Sequence, residues 1–189
     1  MTRAFVRLLI VILIQLAAGS IASAQTADPL ARDAEWKSYK LPAAEFSRFL
    51  GVTKIVTFRA PASWEQSAGF LQFKGPHESE LRLIVEKVAD GIPLKSYTNA
   101  VLHNLRDIPG GSDSLTIRPA EISGLEAREF FFTIPDLRGE TTRRMIWCTV
   151  SGPNAVSFLF ICPEANAAEL EPYFKAVIES VVIFESDAE

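Results

Sequence analysis

Histidine and cysteine are scarce: two of each occur in the 189 residues. A metal site draws several convergent His, Cys, Asp or Glu ligands. His77 lies in a polar turn beside Glu78 and Glu80, where it reads as a solvated residue or, at most, a weak surface metal ligand. Two cysteines are too few for a disulfide-stapled scaffold, so the hydrophobic core must supply the stability. Positive charge is also short. The chain has 19 Lys and Arg against 23 Asp and Glu, a formal net charge of −4. That balance excludes nucleic acid, whose recognition needs clustered positive charge, and it argues against general attachment to anionic lipid. No serine stands in a Gly-x-Ser-x-Gly turn. Beyond the first residues no apolar run approaches the ~20 needed to cross a bilayer as a helix.

The one apolar run that does occur is at the start. Arg3 and Arg7 precede Leu8 to Ala18, interrupted by Gln15, and Ala22-Ser23-Ala24 follows. A basic n-region, a short apolar stretch and small residues at a cleavage site are the parts of an export signal. The cut is expected before Gln25, with an uncleaved anchor as the alternative. No cysteine lies near the cut to carry a lipid. Residues 1–24 are thus read as signal peptide, 25–33 as a polar leader and 34–189 as one domain. Cleavage leaves about 165 residues, enough for a sizeable single core. It removes two arginines, so the net charge goes from −4 to −6. The expected location is periplasmic or secreted.

Along the mature chain, Glu35 to Lys40 alternates around Trp36 as a first strand. Leu41 to Leu50 carries Phe46, Phe49 and Leu50 at the spacing of a short helix. Val52 to Arg59 is β-branched and strand-like, stopping at Ala60-Pro61, and Ala62 to Gly69 is a turn region. Phe70 to Lys74 and Glu80 to Val88 form two strands joined at Gly75-Pro76-His77-Glu78-Ser79. In the second, Leu81, Leu83 and Val85 alternate with Arg82, Ile84 and Glu86. A helix spans 93–107, opened by Pro93 and striped by Leu94, Tyr97, Val101, Leu102 and Leu105. Strands follow at 114–120, 125–134, 141–150 and 154–162, with Asp136-Leu137-Arg138-Gly139 and Ser151-Gly152-Pro153-Asn154 as hairpin turns. A last helix buries Leu170, Tyr173, Phe174, Val177, Ile178 and Val181, with Pro172 expected in or before its first turn.

The last hairpin sets the architecture. With Val150 opposite Ala155, one face holds Cys148, Ser157, Ile146 and Leu159, and the other Thr149, Val156, Trp147, Phe158, Met145 and Phe160. Both faces are mainly apolar, so both must be covered. A central antiparallel sheet flanked by helices, an α+β three-layer sandwich, satisfies this. A two-sheet sandwich leaves the amphipathic helices without a use. The same register places Cys148 opposite Ser157 and Cys162 opposite Arg143, about 16 Å apart at ~3.3 Å per residue and on opposite faces. That separation exceeds the about 7 Å a disulfide spans, so two unpaired thiols are expected.

Each remaining feature has a plain structural reading. His103 lies opposite the apolar stripe of its helix and should face water near Asp107. Gly110-Gly111-Ser112 reads as a helix stop, with an anion-binding nest as the alternative. Asp33 with Glu35, and Glu169 with Glu171, are surface carboxylate pairs with no apolar wall to raise a pKa. Trp64 is expected to be buried at the sheet edge rather than lining a pocket. Arg138, Arg143 and Arg144 form the one local basic group, read as solvated strand ends with a docking site for an acidic partner as the alternative, and Arg143 and Arg144 point to opposite faces of a strand.

In order along the chain, Phe58-Arg59-Ala60-Pro61-Ala62-Ser63-Trp64, a hairpin, the helix from Leu94-Lys95-Ser96-Tyr97, Gly124-Leu125-Glu126-Ala127-Arg128 leading into a strand, the long hairpin, and the closing Tyr173-Phe174-Lys175-Ala176-Val177-Ile178-Glu179-Ser180-Val181 resemble the PsbP-like family. That family includes the extrinsic protein of photosystem II and many exported bacterial proteins. The resemblance covers residues 52–183, and 34–51 has no clear counterpart. It implies an antiparallel sheet between helical layers and a non-catalytic role in binding or assembly, with no catalytic residue to carry over and no sign of a photosynthetic partner. Composition and resemblance together predict an exported, non-enzymatic binding or assembly accessory of the cell envelope, without metal or cofactor and with a protein partner. The alternative is a carrier holding a small apolar ligand between sheet and helix, lined by Phe130, Phe131, Phe132, Phe158 and Phe160.

Overall fold

The computed structural model describes residues 35–41, 53–67, 71–108, 114–135 and 139–185. The expected export signal and leader, residues 42–50 of the expected short helix, the expected turn at Gly110-Gly111-Ser112 and Arg138 lie outside them.

The chain order is β1 (Trp36–Leu41), β2 (Lys54–Pro61), β3 (Glu65–Gln66), β4 (Gln72–Lys74), β5 (Glu80–Lys87), α1 (Leu94–Arg106), β6 (Thr116–Ile122), β7 (Leu125–Pro135), β8 (Thr141–Ser151), β9 (Asn154–Pro163), a 3₁₀ turn (Glu164–Asn166), α2 (Ala167–Glu179) and β10 (Val182–Glu185). Seven strands form one sheet in the order β3-β4-β5-β9-β8-β7-β6, and three form a second in the order β1-β2-β10. Every strand pair is antiparallel.

Hairpin chemistry sets the local pairing. Ser123 and Gly124 both take positive φ, 55° and 75°, between Ile122 and its partner Leu125. That is what a two-residue turn matched to strand twist requires. Gly152, at φ 58°, opens the Gly152-Pro153 loop between Ser151 and Asn154. The β8–β9 register is the expected one, with Val150 opposite Ala155, Cys148 opposite Ser157 and Cys162 opposite Arg143.

The period-two side-chain alternation of these strands then builds two cores. One face of the large sheet contributes Leu81, Leu83, Val85, Met145, Trp147, Val156, Phe158 and Phe160. These pack with Val56 and Phe58 of β2 and with Leu170, Phe174 and Val177 of α2. Phe58 meets Phe158 edge-on at 5.6 Å between ring centroids, and Phe160 lies 4.4 Å from Phe174. The other face contributes Phe130, Phe132, Ile134, Cys148 and Ala155, covered by Tyr97, Val101 and Leu105 of α1.

The large sheet is thus the covered, antiparallel central layer of an α+β sandwich. One outer layer differs from expectation, because α2 shares it with the three-stranded sheet instead of covering the face alone. β10 occupies the segment after the last helix and pairs with β2, Val182 opposite Thr57 and Glu185 opposite Lys54. Val181 is buried just past the helix end, not within the helix. Leu41 ends β1 rather than starting a helix. Pro172 sits inside α2, beyond its first turn. It is tolerated there because it faces solvent, where water can satisfy the carbonyl its missing N–H leaves unpaired. Arg59 N–H of β2 donates to Ser180 Oγ at the end of α2 (2.8 Å), fastening the small sheet to the helix. Thr53 N–H donates to the buried Asn154 Oδ1 (3.0 Å), fastening it to the last hairpin.

Candidate binding clusters on the helix-covered face

β5 alternates Leu81, Leu83 and Val85 on one face with Arg82, Ile84 and Glu86 on the other. In a sheet covered on one side, the second set would face water. Here both sides are covered, so the charged residues must find partners or pay for desolvation. They do so in two clusters on the α1 side.

At one end, Pro93 starts α1 with the extended backbone of a cap residue, φ −65° and ψ 145°. One turn on, Tyr97 points into the sheet. Its hydroxyl donates to Glu86 Oε1 at 2.6 Å and lies 3.1 Å from Ser157 Oγ. Burial pushes the Tyr97 pKa well above the ordinary 10, with the Glu86 charge adding to it. Burial also raises Glu86 above 4.5, partly offset by the hydrogen bond from Tyr97. Tyr97 Oη thus links Glu86 Oε1 and Ser157 Oγ. The cluster fastens α1 to the sheet and presents no activated nucleophile.

At the other end stand Glu80, Arg82 and Arg144. In the register Glu80 pairs with Ile161, and Ile161 with Arg144, so the two lie in one row across three strands. Glu80 Oε2 accepts from Gln72 Nε2 (3.0 Å), Arg82 Nε (3.0 Å) and Arg82 Nη2 (2.5 Å). Arg82 is 6% exposed and Arg144 9%. Among the described residues, Arg144 Nε has no hydrogen-bond partner. Burial lowers the Arg144 pKa, the Arg82 charge lowers it further, and Glu80 opposes both. Arg82 is thus paired with Glu80, and Arg144 lies in the same buried row with Phe132 and Ile161 as its cross-strand neighbours.

The residues singled out from sequence are dispersed. His77 and Glu78 take positive φ in the β4–β5 turn, and His77 Nε2 is 3.7 Å from Glu169 Oε1 on α2. His103 is exposed on α1. Trp64 is buried against Phe174, centroids 5.9 Å apart. Cys148 and Cys162 are buried, unpaired and on opposite faces. Burial pushes their pKa values up to about 12 and about 11. Glu35 and Glu169 are exposed, and Glu171 pairs with Lys175 at 2.8 Å.

Arg143 and Arg144 point to opposite faces as expected, but Arg144 is buried rather than a solvated strand end, because both faces of the sheet are covered. Arg143 makes a two-point pair with Glu164 and lies over the Phe131 ring at 4.6 Å, while Arg144 joins the buried cluster. The five phenylalanines also divide between faces. Phe130 and Phe132 pack under α1, and Phe131, Phe158 and Phe160 pack on the opposite side. They do not converge on one cavity. A shallow groove of about 110 Å³ runs between Trp36, Arg59, Ala176 and Ser180. No group of three or more His, Cys, Asp or Glu positioned for a metal occurs among the described residues.

Neither cluster was foreseen, although a signal for both was in the sequence. Glu80, Arg82 and Glu86 recur at period two in a strand inside a sheet whose apolar neighbours require cover on both faces. Charges there imply buried pairing.

The sequence matches no protein-family model and no curated protein. Among solved structures it is similar to cyanobacterial PsbP (CyanoP) from Synechocystis sp. PCC 6803, with a TM-score of 0.54 and 11% identity over 88% of this chain and 99% of that one. It is similar to LpqN, involved in cell envelope biogenesis of Mycobacterium tuberculosis, with a TM-score of 0.54 and 11% identity over 80% of this chain and 93% of that one. A protein of Bacteroides thetaiotaomicron matches with a TM-score of 0.50 and 14% identity over 72% of this chain and 50% of that one. Two of these structures align with this chain over nearly their whole length, and the central sheet and helices described above accord with the likeness, so the chain has the PsbP-like fold.

Proposed function

We propose that the chain is an exported, non-enzymatic binding or assembly accessory of the cell envelope, acting through a protein partner. The observation that carries this reading is the PsbP-like fold, shared with a protein involved in cell envelope biogenesis and here joined to an N-terminal export signal. The chemistry of the described residues agrees with it. Both histidines are exposed, both thiols are buried, and the Glu86 carboxylate is tied to Tyr97 between sheet and helix. No helix of the described residues is long and apolar enough to cross a membrane.

The carrier alternative draws less support. The phenylalanines that would line a cavity fill two separate cores on opposite faces of the sheet. The test is affinity capture from native envelope extract using the exported protein as bait. A stoichiometric envelope protein, retained at physiological salt and competed by untagged bait, is the expected result. Recovery of the chain from the cytoplasm, or a small apolar molecule co-purifying in place of protein, would overturn it.

A further inference from the structure

The two sheets end in β3, β6, β1 and β10, and three of these edges are closed to a further strand. β3 is two residues long. On β6 the two-residue turn makes Ile122 and Leu125 a hydrogen-bonded pair, so Ile117, Pro119 and Glu121 turn their backbone away from β7. Pro119, which has no N–H, interrupts that edge at its centre. On β10 the outward N–H of Ile183 donates to Ser123 Oγ at 3.0 Å.

β1 has no such device. Ala62 N–H donates to Glu35 O at 2.7 Å, which sets the alternation of the β1–β2 ladder. Lys37, Tyr39 and Leu41 bond to β2, and Trp36, Ser38 and Lys40 turn their N–H and C=O outward. Among the described residues no strand pairs with that edge. Its two faces differ. Tyr39 faces the core, with its ring centroid 5.6 Å from Phe58 and 4.7 Å from Phe73. The outer face of the small sheet carries Lys40 and Arg59 with Trp36, Ile55, Val182 and Phe184, and no carboxylate. Lys37, Lys40 and Arg59 form no ion pair with a described residue.

We propose that β1 receives an extended segment of a protein partner as an added strand, one that alternates apolar with acidic residues. The proposal rests on the protein-partner reading above and supplies its mode. Trp36, Ser38 and Lys40 each offer an N–H and a C=O to the incoming backbone. Apolar side chains of the added strand extend the layer at Tyr39, and its carboxylates meet Lys40, with Arg59 one strand behind. Lysine guards an edge against indiscriminate pairing, and here it selects for acid. A second copy of this chain is the wrong occupant, because β1 against β1 sets lysine beside lysine.

The experiment uses the ¹⁵N-labelled exported protein and two blocked synthetic octapeptides, one alternating valine with glutamate and one alternating valine with lysine. The acidic peptide should shift the Trp36, Ser38 and Lys40 amide signals saturably and slow their exchange with solvent, and the basic peptide should not. Ser38→Pro removes an outward N–H that β2 does not use, so it should keep the fold and weaken the acidic peptide by about tenfold or more. Lys40→Glu alters no backbone group and should weaken it by about threefold or more. No saturable shift with the acidic peptide would overturn the proposal. So would slow exchange of the Ser38 and Lys40 amides in the free protein, which would mean that the chain itself already pairs the edge. Vesicles of phosphatidylglycerol that shift the same amides equally in the parent and in Ser38→Pro would assign the face to a lipid surface instead. An envelope protein retained equally by parent and Ser38→Pro baits would refute strand addition while the proposed function stands, whereas a parent bait that retains none refutes that function.

Discussion

Replacing Tyr97 by Phe and Glu86 by Gln, singly and together, tests the claim that a buried hydrogen bond fastens α1 to the sheet. Tyr97→Phe keeps the ring that packs in the core and deletes the hydroxyl that donates to Glu86 Oε1 at 2.6 Å. A hydrogen bond to a charged group contributes about 1.5–3 kcal/mol. Glu86 is only partly buried, so water replaces some of it, and we expect a loss of about 1–2 kcal/mol. Glu86→Gln leaves an amide oxygen to accept the same hydrogen bond and removes the buried charge.

The pH dependence then has a definite sign. Burial raises the folded-state pKa of Glu86 above 4.5, so between the unfolded and folded values the native state holds the extra proton. The stability this contributes is present at low pH and is lost as pH rises through the folded pKa, at ~1.4 kcal/mol per pH unit across that window. The stability of the parent relative to Glu86→Gln should therefore fall as pH rises above 4.5. Urea midpoints at pH 4 to 8, with unchanged slopes, measure both effects. The reasoning fails if the parent gains on Glu86→Gln with rising pH, or if Tyr97→Phe leaves stability unchanged.

The remaining predictions concern processing, thiols and packing. The exported protein should begin at Gln25, which N-terminal mass analysis checks, and retention of residues 1–24 in the membrane would contradict the signal assignment. Cys148 and Cys162, with thiol pKa values pushed up to about 12 and about 11, should resist alkylation until the protein unfolds and then titrate as two thiols. A Cys148–Cys162 disulfide would contradict the hairpin register. Gly75→Ala should destabilise by about 1–3 kcal/mol, because the added Cβ would lie 2.5 Å from Ser79 Oγ and 2.9 Å from the Trp64 ring. Thermal denaturation tests this, and a neutral result would mean that Trp64 is not held where described. Val101→Asp should cost about 3 kcal/mol or more by placing a charge in the buried stripe of α1. His103→Ala on the exposed side of the same helix should stay within about 0.5 kcal/mol.

By itself the sequence determined what local pattern governs. The expectation of an export signal comes from charge, apolar length and small residues. The α1 stripe follows from helical period, and the β8–β9 register from a two-residue loop whose alternation assigns each side chain to a face. From that register came the two-faced central sheet and the separation of Cys148 from Cys162, both matching the structure. Tertiary structure alone decided the rest, because it depends on partners distant in the chain. The apolar helical stripe carries the last helix to Val181 and leaves 182–185 without an element, and only pairing with β2, Glu185 opposite Lys54, draws that segment into a strand. Pro172 is tolerated within α2 because the fold turns that side of the helix to water, which no local rule reports. Arg143 and Arg144 are neighbours in sequence, but strand alternation sends one to Glu164 and the other into the core. The sequence shows the alternation; only the assembled sheet shows that Arg144 arrives buried in one row with Ile161 and Glu80.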